Sequence, residues 1–113
     1  MFNSRKEIPW KTLESTDGFD ELLNSAEPFI VFKHSTRCSI STMAFRRLMD
    51  SSNFGYEIYY LDLIKNRALS NYIADKTSVE HHSPQVIAIN KSAVVGSLTH
   101  SDISEKNLEE ILT

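Results

Sequence analysis

One cysteine, Cys38, stands in the segment Val31-Phe32-Lys33-His34-Ser35-Thr36-Arg37-Cys38-Ser39-Ile40-Ser41. An apolar run ends, a short polar turn follows, and the cysteine opens a stretch of helical periodicity. A thiol at a helix N-terminus faces unpaired backbone N–H groups and the positive end of the helix dipole. Both favour the thiolate, which is the nucleophilic form. The neighbouring Arg37 adds positive charge, and Thr36, Ser39 and Ser41 are small and polar. Three residues after Cys38, where a dithiol redox motif places its second cysteine, stands Ser41. The segment reads as a one-cysteine form of C-x-x-C. Its chemistry would be disulfide exchange, with an outside thiol resolving any mixed disulfide on Cys38. In that reading the Ser41 hydroxyl donates a hydrogen bond to the Cys38 thiolate.

Other residues invite other chemistry. His34, His81 and His82 suggest a metal site with Cys38, or a Cys–His pair for acyl transfer. Adjacent histidines point in different directions, and no acidic third ligand is evident. These histidines are therefore read as surface or loop-packing residues, with His34 placed to tune the thiol electrostatically and no metal assigned. Ser83-Pro84 precedes an apolar run, the permitted place for proline at a strand start. In thioredoxin-like proteins a cis proline at this point faces the reactive cysteine, and the backbone before it pairs with the substrate chain. Ser83-Pro84 is expected to be cis, with Thr36, Ser83 and Pro84 contacting substrate.

These residues need elements to hold them. Trp10 to Leu13 reads as a short first strand. Ser15, Thr16 or Asp17 caps a helix through Phe19, Leu22 and Leu23, stopped by Pro28. Phe29 to Phe32 is a buried strand. Ile40, Met43, Ala44 and Leu48 recur at helical spacing, with Arg46 and Arg47 facing outward. Asn53 to Gly55 is a turn, and Tyr56 to Leu61 a strand. Lys65 or Asn66 precedes a helix through Ala68, Leu69, Tyr72 and Ile73. Gln85 to Ile89 is a strand joined through Asn90-Lys91-Ser92 to another at Ala93 to Leu98, where Gly96 signals a bulge or a close backbone approach. Ser104 starts a last helix carrying Leu108, Ile111 and Leu112 inward. The order β-α-β-α-β-α-β-β-α predicts an α/β fold with a central mixed sheet flanked by helices, parallel first and closed by an antiparallel hairpin. This is the thioredoxin order, and Cys38 follows a central strand at its carboxyl end, where open α/β sheets bind ligands.

The 113 residues suit one domain, 1–113. A hydrophobic content of 41% with 24% charged residues is ordinary for a soluble protein. A net charge of -3 with no basic stripe argues against nucleic acid as a partner. No signal-like or membrane-spanning apolar run is read, and a lone cysteine cannot form an internal disulfide; a cytoplasmic location is expected.

Phe32 to Ser41 resembles the F-K-H-S-T-x-C-P-I-S segment of the monothiol bacilliredoxins. Val79-Glu80-His81-His82-Ser83-Pro84-Gln85 is similar to that family's V-x-H-x-S-P-Q segment. The resemblance implies a thioredoxin-like fold and removal of bacillithiol from S-thiolated client proteins. It matches Cys38 to the attacking cysteine, Ser41 to the serine in the resolving position and Pro84 to the cis proline. Bacillithiol would serve as the thiol cosubstrate, with no tightly bound cofactor. The motif departs at Ser39, where the family carries proline. A non-catalytic thioredoxin-fold binding module is the alternative. So is an iron–sulfur carrier like the monothiol glutaredoxins, although Ser35 occupies the place of their lysine.

Overall fold

The structure is a computed structural model and describes residues 9–50 and 55–113. Asn53 and Phe54, part of the expected turn, lie outside the described residues. Five strands form one sheet in the order β1-β3-β2-β4-β5. They are β1 (Lys11–Thr12), β2 (Phe29–His34), β3 (Glu57–Asp62), β4 (Gln85–Asn90) and β5 (Ala93–Thr99). The helices are α1 (Thr16–Ser25), α2 (Ser39–Met49), α3 (Arg67–Thr77) and α4 (Glu105–Leu112), with a 3₁₀ turn at His100–Asp102. β1 and β2 run parallel to β3, whereas β4 is antiparallel to both β2 and β5. The expected order of elements is therefore the observed one, with the 3₁₀ turn added.

β2 is central, and all six of its residues are buried. Alternation sends its side chains to two cores. Phe29 and Val31 join Phe19 of α1 and Leu69 and Ile73 of α3. Ile30 and Phe32 join Ala44 and Leu48 of α2 and Leu108 of α4. Two serines start helices: Ser15 Oγ accepts from Gly18 N–H at 3.0 Å and Ser104 Oγ from Asn107 N–H at 3.1 Å. Ala26, in the left-handed region at φ 63°, ends α1 before Pro28 is reached. Lys91 and Ser92 both have positive φ, as a tight hairpin turn requires. Gly96 serves both purposes expected of it. The β4–β5 register slips between Ala88 and Ile89, so that Gly96 and Val94 face consecutive residues. A Cβ on Gly96 would also lie 3.0 Å from Ile111 Cβ.

Two expectations fail on α2. Ile40 and Met43 are 49% and 58% exposed, and the buried stripe is Ser41, Ala44 and Leu48. The helix is rotated by its buried polar residue, Ser41, which periodicity alone assigns to the outside. Arg47 does not project into solvent either: its Nε donates to Ile103 O at 2.7 Å, tying α2 to the segment before α4.

Candidate thiol site

The site begins at the end of β2. His34 O accepts Leu63 N–H at 2.9 Å, which holds the carboxyl ends of β2 and β3 together. Ser35 O then accepts Cys38 N–H at 3.2 Å, closing a turn with Thr36 and Arg37 exposed at its tip. Cys38 is the N-cap of α2, in extended conformation, and is partly exposed. Its carbonyl accepts Thr42 N–H at 3.0 Å and Thr42 Oγ1 at 3.1 Å. Its sulfur makes no capping hydrogen bond. The unpaired N–H groups of the first turn are thus left to a charged sulfur or to an incoming group.

Ser41 stands in the first turn of α2, where it was expected, but its hydroxyl is engaged by other partners. It is fully buried, and its Oγ lies 2.7 Å from His34 Nδ1 while accepting Ser35 N–H at 3.0 Å. The hydroxyl thus ties strand, turn and helix together. Its two hydrogen bonds run to His34 and Ser35 rather than to the Cys38 sulfur. His34 is 4% exposed, contrary to its reading as a surface or loop residue. Its ring stacks on Phe45 at 5.0 Å and Phe32 at 5.5 Å, with Tyr60 tilted at 5.6 Å. Burial holds its pKa below the ordinary histidine value, against the pull of Asp62 and of a hydrogen bond with the Ser41 backbone.

Pro84 approaches from β4. Gln85 pairs with Lys33, so antiparallel pairing sets Ser83 and Pro84 alongside His34 and Ser35. The Ser83–Pro84 bond is cis. Pro84 is buried, and Ser83 Oγ is buried without a hydrogen-bond partner.

On the other face of the sheet lies Lys33, fully buried. Its Nζ donates to Ser70 O at 3.2 Å and is 3.5 Å from His81 Nδ1. Burial, then the charge of Arg67, push Lys33 down to about 8. His81 is partly buried, with Nδ1 3.0 Å from Ser70 Oγ, and its pKa is lowered by burial first and then by Lys33. His82 is exposed, its Nε2 4.0 Å from Glu80. Among the described residues, no three His, Cys, Asp or Glu side chains cluster as a metal site would require.

Thr36, Arg37, Cys38 and Ser41 therefore lie along the β2–α2 connection and its first helical turn, and Ser83 and Pro84 immediately precede β4, the antiparallel partner of β2. The family model described as Monothiol bacilliredoxin BrxC matches residues 11–108. The chain belongs to the monothiol bacilliredoxin family. Among solved structures, this bacilliredoxin-family chain is similar to a candidate oxidoreductase with a thioredoxin fold. The two are 32% identical over 91% of this chain and 93% of the other, with a TM-score of 0.81. It is also similar to a thioredoxin from Trypanosoma brucei brucei, at 14% identity over 99% and 94% of the two chains and a TM-score of 0.70. A thioredoxin from Fasciola hepatica gives 17% identity over 88% and 93%, with a TM-score of 0.66. The two thioredoxins show the fold, and the family match supports a thiol redox role for this chain. No helix among the described residues is long and apolar enough to cross a membrane.

The sequence reading missed His34 and Lys33 as structural centres. The signal available was a lysine and a histidine ending an apolar strand, both placed before a turn.

Proposed function

We propose that the protein is a monothiol thiol–disulfide oxidoreductase that removes a low-molecular-weight thiol, bacillithiol, from S-thiolated client proteins. The observation that carries this reading is Cys38 itself: a partly exposed N-cap thiol with no side-chain capping bond, in a chain with no second cysteine. Cys38 thiolate attacks the sulfur of the small thiol in the client's mixed disulfide. The Cys38–bacillithiol disulfide forms as the client disulfide breaks, and the client leaves as a thiolate that takes a proton from solvent. A second thiol then attacks the disulfide on Cys38 and restores the free cysteine. Ser41 cannot resolve the disulfide from within. Exposed Ile40 and Met43, on the first turns of α2, offer an apolar surface beside the sulfur for a client chain. Thr36 and the backbone of Ser83 are the expected polar contacts, and Arg37 supplies charge at the turn.

The test is intact mass after exposure to oxidised bacillithiol and oxidised glutathione in parallel, followed by incubation with an S-bacillithiolated client. A bacillithiol adduct on Cys38 and recovery of the free client thiol are expected. A Cys38 that accepts neither thiol, or a client left unreduced, overturns the assignment.

A further inference from the structure

Ser41 Oγ carries one proton and faces two fixed partners. Ser35 N–H can only donate, so it fills one lone pair of Oγ. His34 Nδ1 either accepts the hydroxyl proton or donates its own. In the first arrangement the hydroxyl proton is spent on the imidazole. In the second, Ser35 and His34 fill both lone pairs, and the O–H turns toward another acceptor. Ser41 is the third helical residue after the N-cap Cys38, so the two side chains share one face of the first turn. The sulfur is the acceptor that position supplies.

We propose that His34 is a positioning residue for Cys38 acting through Ser41: its Nδ1 holds the hydroxyl proton away from the sulfur when unprotonated and releases it when protonated. The inference rests on the reading of Cys38 as the attacking thiol. The ring cannot turn its Nδ1 elsewhere, because it is 4% exposed and packed against Phe45, Phe32 and Tyr60. The groups that face it are Ser41 and Phe45 from α2, and Tyr60 with the carboxylate of Asp62 from β3. Burial outweighs Asp62 and keeps the imidazole neutral near neutral pH. The protein thus holds a hydrogen bond for its thiolate in reserve, released on acidification.

Iodoacetamide alkylation of Cys38 in the full chain, read by intact mass between about pH 5.5 and 8, tests this. His34→Phe keeps a stacked ring and removes the acceptor. Alkylation near neutral pH is then expected to run roughly three- to tenfold faster than in the unaltered protein. His34→Asn, whose Oδ1 can stand in for Nδ1, should return the rate toward the original. Adding Ser41→Ala to His34→Phe should abolish the gain. A natively folded His34→Phe protein that alkylates no faster than the unaltered chain overturns the proposal, since a purely structural histidine gives no Ser41-dependent gain. Should the Phe variant not fold, ¹⁵N NMR of the His34 ring in the unaltered protein decides. An unprotonated Nδ1 at neutral pH supports the proposal and a protonated one overturns it. Iodoacetamide needs no disulfide substrate, so failure here is separable from failure of bacillithiol exchange.

Discussion

Ser41→Ala would leave His34 Nδ1 and the Ser35 N–H without their shared partner at a buried position. An unsatisfied buried polar group costs about 1–3 kcal/mol. The variant is therefore expected to unfold at lower urea concentration with an unchanged slope, and a midpoint equal to that of the unaltered protein would contradict it. Ser41→Cys should still form a disulfide with Cys38 under oxidising conditions, because the N-cap-to-third-residue spacing is that of working dithiol motifs. Its absence in a folded variant, by intact mass, would remove the one-cysteine C-x-x-C reading. The Cys38 placement was legible because an apolar run, a polar turn and a helical pattern each announce themselves. The pairing of Ser41 with His34 was not. It joins a strand end to a helix across a turn, and a serine in a first helical turn is ordinary by residue type.

Element boundaries were readable wherever a backbone group must be satisfied or turned. Serines capped α1 and α4, and positive φ fell in the expected hairpin turn. Ser15→Ala and Ser104→Ala should each cost about 1 kcal/mol, seen as lowered thermal midpoints. The face of α2 was harder, since Ile40 and Met43 carry the apolar signal yet lie outside while Ser41 lies inside. Hydrophobicity ranks side chains by type, and a hydroxyl with two buried partners escapes that ranking. Gly96→Ala examines the contact between β5 and α4. The added methyl meets Ile111 Cβ at 3.0 Å, and overpacking of this kind costs about 1–3 kcal/mol. Combining it with Ile111→Gly, which removes that Cβ, should cost less than the two losses added together. Strict additivity in urea unfolding would show that the contact carries no strain.

At the scale of the whole molecule, stability should follow pH from both sides. Lys33 has a folded-state pKa of about 8 against an ordinary 10.5. Its contribution is present above 10.5 and is lost as pH falls to about 8, so stability rises with pH across that window. The full span is on the order of 3 kcal/mol. Tyr60, raised above 10.0 by burial, works the other way at higher pH, so comparison with Lys33→Met is best made below pH 10. The variant should lose the rise, and a slope shared by both proteins would assign it to other groups. On the acid side, His34 and His81 both lie below 6.5, so their contribution is lost as pH falls beneath that value. The two edges of the sheet set a different limit on the molecule. β1 offers a partner strand only two residues, with Lys11 on the rim facing Glu57 at 4.0 Å. The slipped register at Val95 breaks the hydrogen-bond ladder of β5 just where Val94 and Val95 are exposed. Short, charged or kinked edges are poor templates for a further strand. If Cys38 exchanges disulfides as proposed, a client chain is left the end of the sheet that carries the sulfur rather than either of its described edges.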